Sequence, residues 1–178
     1  MLLFRATSKG MLKRPTEVVF EFPQPPAPYP PSQRSSALIG PSGVGQTTTA
    51  LAMLMGPYRN CYERVYVCSP SCALGVDSAW DAWRHHIKTH MRIQDDDQTT
   101  WATWEPKKLE ELIERHNKVN AYLKAKHKKW FCMLVLVDDF ADDGDKVMHS
   151  STNVLTSLFV RDRHIGCACW LLSQKRAV

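Results

Sequence analysis

The sequence predicts an α/β fold in which a mostly parallel β-sheet carries helices on both faces. Two apolar runs, WFCMLVLVDDF at residues 130–140 and GCACWLLSQ at residues 166–174, have the continuous hydrophobicity of strands buried on both sides. A helical pattern around residues 147–159 separates these two strands. Strands that alternate with helices indicate a parallel sheet, and 178 residues suit one such domain with an ordinary core.

The earlier part of the chain supplies the remaining strands. SSALIG, residues 35–40, is a short apolar strand, and TTTALAMLM, residues 47–55, is a helix that ends at Gly56-Pro57. RVYVCSP, residues 64–70, is a strand of β-branched and aromatic residues. The stretch IQDDDQTTWATW, residues 93–104, is expected to be a polar insertion.

Two further helices reveal their buried faces through the spacing of apolar residues. The first places one stripe toward the core: Trp80, Trp83, Ile87 and Met91. Three histidines of the same segment are expected on its solvated surface: His85, His86 and His90. The second helix has Pro106 in its first turn and continues to about Lys129. Its apolar face is Leu109, Leu112, Ile113, Val119 and Leu123.

The first 35 residues differ in composition from the rest. FPQPPAPYPP, residues 22–31, contains six prolines, and proline fixes φ and lacks a backbone N–H. We therefore predict a flexible proline-rich segment at residues 1–35 and a single folded domain at residues 36–178.

Composition and charge limit the cellular setting. No apolar run approaches the ~20 residues that a membrane-spanning helix needs, and the N-terminus lacks the apolar core of a secretory signal. The cysteines lie largely in apolar runs, where a thiol behaves as a small hydrophobic group: Cys61, Cys68, Cys72, Cys132, Cys167 and Cys169. These features predict reduced thiols and an intracellular location, in the cytoplasm, nucleus or a virion. The net charge of +5 permits an anionic partner without requiring one.

A glycine-rich turn follows the first predicted strand. LIGPSGVGQTTTALAML, residues 38–54, fits the pattern G-x-x-x-x-G-K-[ST] of a phosphate-binding loop, or P-loop, except that Gln46 replaces the lysine. Glycines let successive N–H groups turn inward around an anion, and the following helix adds a favourable dipole. The candidate nucleotide-binding residues are Gly40, Pro41, Ser42, Gly43, Val44, Gly45, Gln46, Thr47 and Thr48. The alternative is a glycine-rich turn without a ligand.

Polar residues at the ends of other strands complete a candidate site, because ligands of parallel sheets bind at the carboxyl ends of the strands. The Thr47 hydroxyl and the Asp138 carboxylate are the expected ligands of Mg²⁺. Asp139 can orient or deprotonate an attacking water, and Gln174 can contact that water or a terminal phosphate. The alternative for the two aspartates is a helix cap or a polar loop.

The chain resembles the poxvirus-type DNA-packaging ATPases of large DNA viruses, a branch of the FtsK–HerA superfamily of P-loop motors. Four stretches carry the resemblance, in order: GPSGVGQTT, VYVCSPSCALGVDSAWDAW, LVLVDDFADD and LFVRDRHIGCACWLLSQ. The resemblance implies a sheet of the additional-strand, catalytic-acid type, in which the sensor strand lies between the P-loop strand and the Asp138 strand. It also implies ATP and Mg²⁺ as ligands, double-stranded DNA as the moved substrate, and a homo-oligomeric ring.

The resemblance assigns further roles and reveals two departures. It makes Asp139 the catalytic acid, Gln174 the sensor, and Arg163 a finger for a neighbouring subunit's nucleotide, with Arg161 as the alternative. Gln46 lacks the positive charge of the family's lysine, so we expect weaker ATP binding and reduced hydrolysis. The family continues beyond the sensor, whereas this chain ends at Val178, so a C-terminally truncated sheet is expected.

Two functions therefore remain open from the sequence. One is an ATPase that couples hydrolysis to DNA translocation, with activity reduced at Gln46. The other is a catalytically inactive homologue that acts as a binding or interaction protein. A lysine-rich stretch on the long helix is either a solvated face or a DNA-phosphate contact: Lys107, Lys108, Lys118, Lys124, Lys126, Lys128 and Lys129. Trp80, Trp83 and Trp101 are expected in packing rather than as platforms for nucleic-acid bases.

Overall fold

The computed structural model describes residues 22–41, 43–73, 78–91, 99–139 and 154–173. Within these ranges the strands are β1 (Ser36–Ile39), β2 (Arg64–Cys68), β3 (Thr100–Trp101), β4 (Met133–Asp138) and β5 (Cys167–Ser173). The α-helices are α1 (Gln46–Met55), α2 (Ser78–Thr89), α3 (Pro106–Ala125) and α4 (Val154–Ile165). A short 3-10 helix, Pro70–Ala73, follows β2. No helix of these ranges has the length and apolar character needed to cross a membrane.

The strands form one five-stranded sheet in the order β1-β5-β4-β2-β3, and every pairing is parallel. The predicted α/β class with a parallel sheet is confirmed. The β5 strand pairs with β1 on one side, Ser36 opposite Trp170, and with β4 on the other, Asp138 opposite Leu172. The carboxyl ends of all five strands therefore lie at the same edge of the sheet.

Two hydrophobic layers cover the two faces of the sheet. On β4, Leu134 and Leu136 pack with residues of α1 and α2, including Leu51, Trp80 and Trp83. Met133, Val135 and Val137 alternate with them and pack with Leu109 of α3 and Leu155 and Leu158 of α4. This alternation explains the continuous apolar sequence of β4, because both faces of the strand are covered. Trp80, Trp83 and Trp101 are buried, as the sequence predicted.

Two residues of the stretch predicted as a polar insertion form a strand that the sequence analysis did not predict. Thr100 and Trp101 form β3 at the sheet edge beside β2. The Val67 N–H donates to the Thr99 carbonyl at 2.7 Å, and the Ser69 N–H donates to the Trp101 carbonyl at 2.9 Å. The two-residue strand escapes periodicity analysis because it is too short to show an alternating pattern.

The apolar face predicted for α3 is partly wrong. Val119 is exposed, whereas His116 and Asn120 are buried one turn apart. Asn120 donates to the Phe131 and Ile165 carbonyls, each at 3.0 Å, and accepts from the Phe131 N–H at 2.8 Å. His116 Nε2 lies 2.8 Å from the Ile165 carbonyl oxygen. The buried side chains of His116 and Asn120 therefore hold α3 to the segments before β4 and β5, because they form hydrogen bonds with backbone atoms of Phe131 and Ile165.

One histidine of α2 also departs from the sequence prediction. His86 is buried rather than solvated, with its ring stacked between Trp83 at 5.6 Å and His90 at 4.6 Å. His85 and His90 remain exposed, as predicted. Burial lowers the pKa of His86, and the neighbouring His90, Arg59 and His85 lower it further.

Residues 22–35 contact the domain without forming helix or strand. The Tyr58 hydroxyl donates to the Pro30 carbonyl and the Tyr62 hydroxyl donates to the Ser32 carbonyl, both at 2.7 Å. The Ser35 hydroxyl accepts from the Cys169 N–H of β5 at 2.9 Å. Hydrogen bonds from Tyr58, Tyr62 and Cys169 thus hold residues 30–35 against the domain that begins at β1.

Candidate functional site

The glycine-rich loop connects β1 to α1 at the carboxyl edge of the sheet. Gly43 and Gly45 have φ values of 80° and 81°, a left-handed conformation that glycine adopts without steric cost. Gly45 is the N-cap residue of α1, and its carbonyl accepts from the Thr49 N–H at 2.8 Å. The first N–H groups of any helix lack acceptors within the helix, so the start of α1 is suited to an anion. The local sequence thus explains the turn, because glycine occupies both positions with positive φ.

Gln46, the residue at the lysine position, is tied to the sheet. Its Nε2 lies 2.9 Å from the Ser173 carbonyl oxygen and 3.3 Å from those of Leu38 and Gly40. The amide has two N–H groups for these three acceptors, so its donors are committed to the backbone. The Gly40 N–H also donates to the Ser173 carbonyl, at 3.2 Å. Gln46 therefore joins the loop to the ends of β1 and β5 without contributing positive charge.

Thr47 and Asp138 meet beside the loop. The Thr47 hydroxyl donates to Asp138 Oδ2 at 3.0 Å, although 91 positions separate the two residues. Asp138 is the last residue of β4 and is only 5% exposed. A hydroxyl and a carboxylate are oxygen ligands of the kind that Mg²⁺ prefers, so the donor set fits that ion. Within the described ranges no cluster of three or more His, Cys, Asp or Glu forms a complete metal site.

Asp139 follows Asp138 with a left-handed backbone, φ 56°, and an exposed side chain. This conformation is uncommon for residues other than glycine, but aspartate and asparagine tolerate it better than most. The two adjacent carboxylates consequently differ in environment: one is buried beside Thr47, and the other is open to solvent at the same edge.

These residues line a cleft of about 300 Å³. Its walls come from the loop and the first turn of α1, the end of β4, the loop after β2, and β5: Gly43, Gly45, Gln46, Thr47, Thr48, Asp138, Asp139, Ser71 and Leu172. The described lining residues include two carboxylates and neither lysine nor arginine. A cation that accompanies a phosphate ligand would therefore be the main source of positive charge in this part of the cleft.

A second cavity, of about 360 Å³, lies at the opposite edge of the sheet. Tyr62, Arg64, Trp83 and His86 are among its lining residues. Strand order places it at the amino ends of β2 and β4, far from the glycine loop. Because ligands of parallel sheets bind at the carboxyl edge, the smaller cleft is the better candidate for the chemistry.

The loop after β2 contributes residues that sequence reasoning missed. The Ser69 hydroxyl lies 3.3 Å from Asp138 Oδ2 and 2.8 Å from the Ser71 hydroxyl, and the Trp80 indole N–H donates to the Ser71 hydroxyl at 2.9 Å. The available signal was the stretch CSPSC directly after a predicted strand, at the edge where ligands bind.

The remaining predicted site residues are distributed as follows. Pro41 and Val44 are exposed on the loop and do not line the cleft. Ser42 and Gln174 lie outside the described residues, although Ser173 beside Gln174 ends β5 next to Gly40. Arg161 and Arg163 lie on α4, and their side chains lie outside the described part. Because α4 leads into the amino end of β5, the backbone of Arg163 lies at the edge opposite this chain's own cleft.

All six cysteines belong to the described residues, are buried, and form no disulfide. Burial raises the pKa of the Cys68 and Cys132 thiols well above the ordinary value.

Neither the scan against protein-family models nor the search of curated proteins finds a match to this chain.

Proposed function

We propose that the chain is a P-loop nucleotide-binding domain that binds ATP together with Mg²⁺. The observation that carries the proposal is the hydrogen bond between Thr47 and Asp138 at the mouth of the glycine loop. A Thr in the first helical turn and an Asp at the end of a neighbouring strand are the pair that holds Mg²⁺ in P-loop proteins. The position of β5 between β1 and β4 supports the additional-strand, catalytic-acid type.

Each residue of the cleft has a chemical role under this proposal. The loop and the start of α1 cradle the phosphates through backbone N–H groups, which Gln46 leaves unchanged. Thr47 and Asp138 hold Mg²⁺, which when bound neutralises charge on the phosphate oxygens. Asp139, exposed beside the buried Asp138, accepts a proton from an attacking water or orients it. Gln174 follows the strand that ends at the loop and contacts the same water or the terminal phosphate.

The finer assignment is a DNA-packaging ATPase of the poxvirus type in the FtsK–HerA superfamily. It rests on the four matching sequence stretches and on the strand order. Under this assignment, double-stranded DNA is the substrate that the protein moves, and the protein acts as a homo-oligomeric ring. The placement of Arg163 at the edge opposite its own cleft supports a role toward a neighbouring subunit's nucleotide.

A second candidate is a catalytically inactive homologue that binds nucleotide or a partner. One observation favours it: the Gln46 amide donates to backbone carbonyls and carries no charge for a developing phosphate anion. Losing one charge-assisted contact costs on the order of 2–4 kcal/mol, or about 10²–10³ in rate. We therefore propose nucleotide binding with strongly reduced hydrolysis as the state of this chain.

A steady-state ATPase assay of the purified chain, with and without duplex DNA, together with calorimetric titration of ATP, separates the two candidates. Slow hydrolysis that DNA stimulates supports the motor. Nucleotide binding without hydrolysis under both conditions supports the inactive homologue. Absence of both binding and hydrolysis at millimolar ATP, with the chain folded, contradicts the proposed function.

A further inference from the structure

We infer that Ser69, Ser71 and Trp80 form a positioning relay that orients Asp138 for a metal–nucleotide complex and links the site to α2. The inference rests on the proposed function, because it assigns to these residues the support of the proposed metal ligand. The relay consists of the three hydrogen bonds that join the Trp80 indole, the Ser71 and Ser69 hydroxyls and Asp138 Oδ2.

The chemistry of the end groups fixes the direction of the relay. The indole N–H of Trp80 can only donate, so the Ser71 oxygen accepts from it. An ionised carboxylate can only accept, so the Ser69 hydroxyl donates its single hydrogen to Asp138. The Ser71 hydroxyl must then donate to Ser69 across the remaining 2.8 Å contact. Every hydrogen in the relay is directed toward the carboxylate.

Burial protects the hydrogen bonds of the relay from competition with water. Ser69 is fully buried, Trp80 is 1% exposed and Asp138 is 5% exposed, so water competes poorly for these groups. Asp138 Oδ2 accepts from both Ser69 and Thr47. Two donors on one oxygen restrict the rotation of the carboxylate about its Cβ–Cγ bond and so fix its plane. Buried polar networks of this kind lose more when one member is removed than an exposed hydrogen bond does.

The relay also ties the cleft to α2. Trp80 lies in the first turn of α2, and Arg84, one turn later, donates from Nη1 to the Cys72 carbonyl at 3.1 Å. The 3-10 helix that carries Ser71 is thus held to α2 at two points. A change in the Asp138 carboxylate on ligand binding is therefore transmitted to the Trp80 indole, which supplies a spectroscopic readout of the relay.

The test measures ADP affinity in Mg²⁺ and in EDTA, for the unaltered chain and for variants. The relay acts through Asp138, so Ser69→Ala is expected to weaken ADP binding about tenfold in Mg²⁺ and to leave binding in EDTA unchanged. Trp80→Phe should weaken binding in Mg²⁺ by about two- to tenfold. Ser71→Thr, which keeps the hydroxyl, should recover the affinity that Ser71→Ala loses.

Trp83→Phe is the matched control. Trp83 lies on the same helix and is equally buried, but its indole nitrogen has no hydrogen-bond partner among the described residues. The Trp83→Phe substitution should not change the affinity for ADP in Mg²⁺. In the unaltered chain, the indole N–H resonance of Trp80 should shift when ADP and Mg²⁺ are added together, and that of Trp83 should stay in place. This second readout tests the inference even if a variant fails to fold.

The outcomes separate the inference from the proposed function. Unchanged ADP affinities in the folded Ser69→Ala and Trp80→Phe variants, with measurable binding by the unaltered chain, overturn the relay alone. An indole N–H resonance of Trp80 that does not shift when ADP and Mg²⁺ are added also overturns the relay. Failure of the unaltered chain to bind ADP under either condition overturns the proposed function, and the inference with it.

Discussion

The Thr47 hydroxyl donates to the Asp138 carboxylate across 3.0 Å, joining the first turn of α1 to the end of β4. The sheet makes this contact possible. Since β5 lies between β1 and β4, the loop after β1 must pass over the end of β5 to reach Asp138. Gln46 fixes that path, because its amide donates to Ser173 at the end of β5. Gln46 and Thr47, adjacent in sequence, therefore tie the start of α1 to two different strands, β5 and β4.

Replacing Gln46 by lysine should restore ATP affinity and raise turnover. The ammonium group can satisfy the same backbone carbonyls and adds the charge that stabilises phosphate anions, an effect of about 10²–10³ in rate. Asp139→Asn in the Gln46→Lys background should abolish the gain in turnover but not the gain in affinity. Steady-state hydrolysis and equilibrium binding of ATP measure the two effects. Tight ATP binding by Gln46→Lys with no turnover at any protein concentration would favour the inactive homologue.

Replacing Gln46 by leucine should destabilise the fold. The substitution removes the amide donors that face the Leu38, Gly40 and Ser173 carbonyls. Losing the hydrogen bonds of this buried amide lowers the free energy of unfolding by about 1–3 kcal/mol. Urea denaturation measures the change, with Thr49→Leu on the exposed side of α1 as the control. Equal free energies of unfolding for the unaltered chain and Gln46→Leu would show that the amide does not hold the loop.

The buried His116 should make stability depend on pH. Burial lowers its pKa, and the hydrogen bond to the Ile165 carbonyl opposes this only in part. Its Nδ1 has no partner among the described residues, so the neutral form with hydrogen on Nε2 fits the site. The folded chain then binds fewer protons than the unfolded chain just below the ordinary pKa of about 6.5. The free energy of unfolding should therefore fall as pH decreases through this range.

His116→Gln keeps a donor for Ile165 but does not titrate. Relative to this variant, the unaltered chain should lose up to about 1.4 kcal/mol of unfolding free energy per pH unit below pH 6.5. Urea denaturation at a series of pH values measures the difference. His85→Gln, on the exposed surface of α2, serves as the control and should keep the pH dependence. Parallel pH profiles for the unaltered chain and His116→Gln would contradict the assignment.

If the chain binds DNA through α3, its affinity must fall steeply with salt, because lysine contacts to phosphates release counterions. Several lysines on or just after this helix already have partners: Lys118 contacts Glu114, Lys129 contacts Glu63, and Lys108 lies over the Trp101 ring. The exposed Lys126 and Lys128 follow the end of the helix. Replacing both by glutamine should reduce the slope of log affinity against log salt by about two.

Fluorescence anisotropy of a labelled duplex at several salt concentrations measures this slope. Lys88→Gln on α2 is the matched control and should leave the slope unchanged. An affinity that does not respond to salt, or an unchanged slope in the double variant, would remove this end of α3 from the DNA-binding surface.

The sequence predicted the strands and helices whose apolar residues follow a regular pattern. The uninterrupted apolar runs of β4 and β5 follow from burial on both faces, and the stripe of Trp80, Trp83 and Ile87 follows from one buried face of α2. Periodicity could not reveal β3, because two residues are too few to alternate. It also placed Val119 on the buried face of α3, whereas the buried position is taken by His116, which contacts the Ile165 carbonyl of a distant segment.

The candidate site was predictable where one local motif defines it and not where distant segments meet. The residues of the glycine loop are contiguous in sequence, and so are Asp138 and Asp139 at the end of β4. Their residue types suggest their chemistry. The Ser69 and Ser71 contacts depend on the pairing of β2 with β4, which sets the loop after β2 beside Asp138. The carbonyl contacts of Gln46 likewise require β5 to lie beside β1.

The measurement that tests the central claim most directly is calorimetric titration of ATP with Mg²⁺ into the unaltered chain and two threonine variants. Thr47→Ala removes the hydroxyl that contacts Asp138, whereas Thr49→Ala removes an exposed hydroxyl of the same helix. We predict weak but measurable binding by the unaltered chain, the same binding by Thr49→Ala, and a loss of about tenfold or more in Thr47→Ala. No heat at millimolar ATP from the folded chain, or equal affinities in all three proteins, would contradict the account.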